Sequence, residues 1–462
     1  TVLYLNPIFE SASNHRYDTG DYRKVDPILG TNADFKKLCA AAADCGIRIV
    51  LDGVFAHTGA DSRYFNRFRH YPGCGAYNSH SSVYARWYSF AHYPDDYKCW
   101  WDFKDLPAVN AANPDWRKYM ITGERSIVKT WLRDGASGWR LDVADELPDD
   151  VLRGMRSAAK ETDPDSVLLG EVWEDAVTKV SYGERRQYAL GDALDSVMNY
   201  PLRDGLVTFL TGRSTARALA DLLLSQRLNY PRPLYYALMN LTASHDVART
   251  RSALALDFDP RSRTRAELAA LEITDAMAAR GAQLQVLAAA VQFWLPGIPS
   301  IYYGDETGMQ GLCDPFNRAP LQMCDTQMLQ WYAQLTALRH AHPALTRGEV
   351  AVFAPAGDVL CVLRVIADSR DAFGEEAEDE ALLLIVNRAA HPVRCHVELT
   401  CPGAGLCEET RLAFVRSEYD CAADCTDDTH IAIRDGVGAF DLPPHAAKIY
   451  RLENRHGTET GS

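Results

Sequence analysis

The string GWRLDVADE, Gly138–Glu146, narrows the possible folds more than any other stretch of the chain. Trp139, Leu141 and Val143 alternate with Arg140 and Asp142, the period-two pattern of a short buried strand. Arg140 and Asp142, two residues apart, therefore point to one face of it. Burying both is costly unless they pair or meet a polar ligand. Pro148 opens the next helical stretch, so the segment reads as one strand–helix unit of an α/β barrel, where chemistry collects at the carboxyl ends of the strands. A structural Arg–Asp ion pair would also explain this string, so the other strands decide.

Val2–Phe9 is strand material, followed by a polar loop with Asn14, His15, Tyr17, Asp18 and Asp21. An Ala-rich helix is expected from about Asn32 to Asp44, closed by Gly46. Ile47–Phe55 is a nearly continuous apolar run, the mark of a parallel strand covered on both faces, and it leads through Asp52 to His57. From Thr58 to Val109 both periods vanish and aromatics crowd in: Tyr84, Trp87, Tyr88, Phe90, Tyr93, Tyr97, Trp100, Trp101 and Phe103. So long a stretch is a functional loop or a small subdomain. Most of these rings are expected to pack its own core; any that line a cleft would suit the C–H faces of a sugar.

Regular alternation then resumes. Helices are expected from Pro114, capped by Asn113, to about Arg133, from Pro148 to Thr162 and around Ala176–Leu190. Strands are expected at Ser166–Trp173, carrying Glu171, at Leu194–Tyr200, and at Tyr236–Thr242, which delivers His245 and Asp246. Helical periods return between Arg265 and Trp294, Pro296–Glu306 supplies the last strand with Asp305 and Glu306 at its end, and Met328–His342 the last helix. That makes seven strand–helix units in an order that wants eight. The first barrel strand is read as missing, and the chain as a fragment of a longer protein.

From Glu349 onward, short alternating runs separated by turns and acidic stretches read as an all-β sandwich. The expected fold is thus α/β: a (β/α)8 TIM barrel over residues 1–345, a subdomain at 58–109 after the third barrel strand, a β-sandwich over 346–453, and a flexible tail at 454–462. A length of 462 residues accommodates this arrangement. The net charge of −14 argues against nucleic-acid or anionic-membrane partners, and no window approaches the roughly 18 apolar residues of a membrane span. Twelve cysteines lack metal-ligand spacing; Cys39/Cys45 and Cys421/Cys425 are too far apart for CxxC pairs, and the set reads as free thiols of a cytoplasmic protein.

Asp52, Asp142, Glu171 and Asp246 each close a strand or the loop it delivers, accompanied by His57, Arg140 and His245. Carboxylates gathered at one barrel mouth, with no metal-like set, suggest a glycosidase: one carboxylate as nucleophile, one carboxylic acid as proton donor. Arg140 is expected to keep Asp142 ionised, and the apolar neighbours of Glu171 to push its pKa upward.

At this point the chain resembles the α-amylase superfamily, in the cyclomaltodextrinase, neopullulanase and maltogenic-amylase branch. The four short motifs are DGVFAH (Asp52–His57), GWRLDVADE, GEVWEDA (Gly170–Ala176) and ASHD (Ala243–Asp246); Pro7–Tyr22, Asp105–Asn110, Gly191–Pro201 and Gly297–Gly311 are similar to further segments. The resemblance implies Asp142 as nucleophile, Glu171 as general acid/base and Asp246 as transition-state stabiliser. Tyr17, His57, Arg140 and His245 fall on positions that hold the glucose ring before the cut, Trp173 joins the substrate-binding set, and Asp314 and Arg318 match a loop that contacts the next sugar outward. It implies retaining cleavage of α-1,4- and some α-1,6-glucosidic bonds in maltodextrins, cyclodextrins or pullulan. Ala56 replaces a usual calcium ligand, and an alanine side chain cannot ligate a hard cation, so no cofactor or structural metal is expected. Asp145 stands where the branch commonly has Asn, an additional charge on the acceptor side of the cleft. An N-terminal module in this branch often completes a neighbour's active site, which leaves a homodimer through that module as the expected partner besides an α-glucan. The rival readings are a transglycosylase using the same residues and a non-catalytic glycan-binding or scaffold protein on an amylase-like barrel.

Overall fold

Arg48–Gly53 reads Arg-Ile-Val-Leu-Asp-Gly, and all but Arg48 are buried, as a parallel strand covered on both faces requires. It lies second in a five-stranded parallel sheet ordered Val2–Leu5, Arg48–Gly53, Gly138–Leu141, Val167–Gly170 and Ser196–Val197. The computed structural model describes residues 1–399, 410–414, 430–433 and 436–454. Its chain forms two compact units, Thr1–Met198 and Asn199–Ser462.

In the first unit the register decides where charges meet. Asp52 pairs with Arg140 across neighbouring strands, so the two side chains leave the sheet on one face. Gly138 is needed for the close approach of the next strand: a Cβ there would stand 2.4 Å from the carbonyl oxygen of Val167. The helix Asn32–Asp44 carries a capping box between Thr31 and Asp34, and Asp149–Thr162 buries Val151, Leu152 and Met155. Two expected helices differ. The stretch after Pro114 breaks into Pro114–Arg117, a wide turn at Lys118–Thr122 and Ile127–Arg133, with Ser126 capping the last piece. Around Ala176–Leu190 there is a small hairpin, Val180–Ser181 against Glu184–Arg185, because Tyr182 and Gly183 both take positive φ and reverse the chain.

The 58–109 segment holds a core of its own: Tyr64, Phe65, Trp87, Tyr88 and Tyr97 are all buried. Phe65 lies within 6 Å of the rings of Tyr77, Tyr88, Phe90 and Tyr97.

In the second unit, Met239–Leu241 and Ile298–Ser300 pair in parallel. The helix Asp275–Trp294 is buried on every side from Leu284 onward, its first turns being more open, and its last residue, Trp294, donates its indole N–H to the Val362 carbonyl at 3.0 Å. Val362 belongs to a six-stranded antiparallel sheet ordered Glu349–Ala356, Val359–Ile366, Glu380–Asn387, Ala446–Asn454, Thr410–Phe414 and His430–Ala432. Val393–Glu398 pairs with Val437–Leu442, and Cys395, Val397, Phe440 and Leu442 share one apolar core with Cys361, Leu363, Leu383 and Ile385. The eight cysteines among the described residues are unpaired; Cys401, Cys407, Cys421, Cys425 and the 455–462 tail lie outside them. Among the described residues no helix is long and apolar enough to cross a membrane.

Candidate active site

Three carboxylates of the first unit converge on Arg140, which is fully buried. Its Nη1 donates to Oδ1 of Asp52 at 3.0 Å and to Oδ1 of Asp142 at 2.8 Å. Its Nη2 stands 2.8 Å from Oε2 of Glu171, a close ion pair whose angle falls outside hydrogen-bond geometry. One guanidinium fork thus spans Asp142 and Glu171, which arrive from neighbouring strands through Asp142 N–H to Gly53 carbonyl and Glu171 N–H to Leu141 carbonyl bonds. Burial works against the Arg140 charge, but Asp52 and Glu171 outweigh it and keep the guanidinium protonated.

Asp52 is committed to structure. Besides Arg140 it accepts from the Tyr4 hydroxyl at 2.5 Å and from the Tyr17 hydroxyl at 3.0 Å. Burial and then Asp52 raise the Tyr17 phenol well above the usual tyrosine range, so it stays a donor. The Tyr17 carbonyl in turn accepts from Nε2 of His57 at 3.0 Å, and burial lowers the His57 pKa to about 4. His57 is therefore neutral, protonated on Nε2, and its buried Nδ1 has no partner among the described residues.

Arg140 favours the ionised form of Asp142, but it does not act alone. Burial pushes the Asp142 carboxyl well above the usual range; Arg140 pulls it back, and Glu171 and Asp52 push it further. One positive charge faces three carboxylates, which is why Glu171 and Asp52 both oppose ionisation of Asp142. Glu171 also meets more polarity than Leu168, Leu169 and Val172 suggest. Its Oε1 accepts the Trp173 indole N–H at 2.9 Å and its Oε2 the backbone N–H of Val143 at 2.8 Å. Val143 presents that N–H from a left-handed backbone, φ 40° and ψ 65°, a strained conformation for a β-branched residue. Trp173 keeps 36% of its surface open.

Asp145 does not offer a bare charge. Lys179 pairs with its Oδ2 at 2.9 Å and the Tyr188 hydroxyl donates to its Oδ1 at 2.5 Å. Tyr182 donates to Glu146 at 2.6 Å and Arg186 to Asp149 at 2.8 Å, so the hairpin is tied to the loop that follows the Asp142 strand.

The second unit carries the other expected residues. His245 Nε2 lies 3.1 Å from Oδ2 of Asp246, whose backbone N–H bonds the Ser244 hydroxyl at 3.1 Å. Asn317 fixes this loop, donating to the carbonyls of Ser244, His245 and Val247 at 3.1, 2.9 and 2.8 Å. Asp314 and Arg318, on either side of Asn317, face each other at 2.7 Å. Asp305 is structural: Thr250 donates to it, and burial raises its pKa to about 6. Sequence reasoning missed Tyr4 and Asn317 in this setting. Tyr4 had one available signal, its place within the strand material that leads into the polar loop.

Position 56 does not fit a calcium ligand. Ala56 is buried, its side chain is a methyl group, and its carbonyl already accepts the Val109 N–H at 3.0 Å.

Comparison with known proteins adds the following. The sequence model of the family described as alpha amylase, catalytic domain, matches residues 1–330. An amylopullulanase of Thermoanaerobacterium thermosulfurigenes is 35% identical over 432 residues, which cover 87% of this chain and 22% of that protein. A cyclomaltodextrinase of Geobacillus thermopakistaniensis is 31% identical over 401 residues, covering 84% of this chain and 59% of that one. The chain therefore spans less than two thirds of either relative. Among solved structures, the ligand-free cyclic alpha-maltosyl-(1→6)-maltose hydrolase from Arthrobacter globiformis has a TM-score of 0.73 at 27% identity, over 98% of this chain and 85% of that one.

Proposed function

Because the chain belongs to the α-amylase catalytic-domain family, whose fold is the (β/α)8 barrel, we propose that it is a retaining glycoside hydrolase of α-glucans. Its bonds are α-1,4 and, in part, α-1,6 glucosidic links in maltodextrins, cyclodextrins or pullulan. The observation that carries the reading is the Arg140 fork, with Asp142 and Glu171 each 2.8 Å from one of its terminal nitrogens. Retaining chemistry needs two carboxyl groups about 5–5.5 Å apart, close enough to serve one anomeric carbon from opposite faces, and a shared guanidinium supports that reading by keeping the pair near one another.

Glu171 gives its proton to the glycosidic oxygen as the C1–O bond breaks, and an Asp142 oxygen bonds to C1, forming a β-glucosyl ester. The Glu171 carboxylate then takes a proton from water; the hydroxide oxygen bonds to C1, the ester C–O bond breaks, and Asp142 leaves as the carboxylate. Neutral His57, Tyr17, Trp173 and Arg140 form the wall around the ring. Asp246 and His245, by their motif, stabilise the oxocarbenium-like transition state, and Asp314 with Arg318 meets a sugar farther out. No metal takes part, and the protein works on a glucan partner without nucleic acid or membrane.

Asp142→Asn tests this. Turnover of maltodextrin, followed as new reducing ends, is expected to fall at least about a thousandfold, with the melting temperature held or raised because a buried repulsive charge is gone. Near-normal turnover would overturn the role of Asp142. Proton NMR of the first product is expected to show the α-anomer; the β-anomer would overturn retention.

A further inference from the structure

Tyr64, Phe65, Trp87, Tyr88 and Tyr97 are buried in the core of the 58–109 segment, whereas Phe68, Trp101 and Phe103 stand 50%, 71% and 57% exposed. Both lie nearly parallel to Trp100, with ring centroids 5.3 and 5.9 Å away and tilts of 21° and 24°. Trp100 itself lies 5.6 Å from the ring of His57. A set of apolar faces therefore leads outward from the histidine of the candidate active site.

The backbone that displays them is strained and fixed. Trp101 has φ 45° and Asp102 φ 63°, two consecutive non-glycine residues in the left-handed region. The loop persists in that form because it is zipped to the chain just after His57. Thr58 N–H bonds the Pro107 carbonyl at 3.2 Å and Ala60 N–H the Asp105 carbonyl at 2.8 Å. Within the loop, Trp100 N–H bonds the Leu106 carbonyl at 2.9 Å. Strain kept in place to hold a large indole in water calls for an occupant of that indole face.

We propose that Trp101, backed by Trp100 and Phe103, is a sugar platform that stacks on the C–H face of a glucose residue in the bound α-glucan, beyond the ring that His57 contacts. The proposal deepens the hydrolase reading above and rests on it for the identity of the ligand. The size and rim of the patch favour a pyranose over a protein. The exposed rings are bordered by exposed Asp102, Lys104 and Asp105, whose polar groups suit the hydroxyls around a pyranose and interrupt the continuous apolar surface that the core of a protein interface needs.

The test uses the full chain in an Asp142→Asn background, titrated with maltoheptaose by calorimetry. Trp101→Ala is expected to weaken Kd about tenfold and Trp101→Phe about threefold, with circular dichroism unchanged. In the Asp142 enzyme, Trp101→Ala is expected to raise KM for maltoheptaose about tenfold with kcat within twofold, and to raise KM for maltotriose by less than threefold. Unchanged Kd and KM, a loss confined to kcat, or loss of a concentration-dependent dimer with glucan binding intact would each overturn the platform. The two readings fail separately. Hydrolysis by the parent enzyme with no response to Trp101→Ala sinks the platform alone, whereas tight maltoheptaose binding through Trp101 without any reducing ends sinks the hydrolase alone.

Discussion

His57 is 2% exposed and spends its one N–H on the Tyr17 carbonyl, so charging it would bury a cation, a cost that the Tyr17 carbonyl and the Asp18 charge offset only in part while His15 adds to it. Its folded pKa of about 4 lies below the ordinary 6.5, so the unfolded chain binds the proton more readily. The stability it contributes is complete above about pH 6.5 and is lost as pH falls through 4. Between pH 7 and pH 5 this one group should cost about 2 kcal/mol. His57→Gln keeps an amide donor for the carbonyl and removes the titration. Its urea-unfolding free energy is expected to fall less over that pH range than the parent's by about that amount, and equal slopes would show that His57 does not carry the effect. How far such residues could be read in advance depended on locality. Alternation alone placed Arg140 and Asp142 on one face, and the register with Asp52 agrees. Tyr4 and Asn317 reach their partners across 48 residues or more, and no periodic pattern marks such a meeting.

At the scale of elements, the hairpin after the Glu171 strand shows what a sequence pattern misses. The run VTKVSYGERRQYAL has apolar spacing that suits a helix, yet Tyr182–Gly183 makes a tight reversal and the polar side chains find partners outside the run. Lys179 reaches Asp145, Tyr188 the same carboxylate, and Arg186 reaches Asp149. Tertiary pairing has overridden local preference, as it has after Pro114, where Ser126 starts a new helix in place of a continuous one. By contrast Asn32–Asp44 and Asp149–Thr162 match their expected bounds closely, because caps and apolar spacing agree there. If the network holds the hairpin closed, Lys179→Met should loosen it. The partly buried pair with Asp145 is worth about 1 kcal/mol, which multiplies the open population roughly fivefold. Chymotrypsin cleavage after Tyr182, which is 75% exposed, is expected to accelerate by that factor with the global melting temperature nearly unchanged. Equal cleavage rates would mean that the hairpin does not depend on this pair.

For the whole molecule, the question that charge raises is how it responds to divalent cations. A chain of net charge −14 attracts cations through its general field, and any such ion relieves some self-repulsion. A built calcium site behaves differently, because six to eight oxygen ligands at fixed distances discriminate calcium from the smaller magnesium. Ala56 supplies no side-chain oxygen, its carbonyl is already engaged by Val109, and among the described residues no cluster of three or more His, Cys, Asp or Glu is arranged to hold a metal ion. Treatment with excess EDTA followed by desalting is therefore expected to leave maltodextrin hydrolysis within about 20% of its starting value and the melting temperature within about 1 °C, a shift corresponding to well under 1 kcal/mol. Adding calcium or magnesium at equal ionic strength is expected to move the melting temperature by the same small amount, the mark of screening alone. A fall of more than about 5 °C that calcium restores and magnesium does not would place a structural calcium in this chain, held by ligands other than the side chain at position 56.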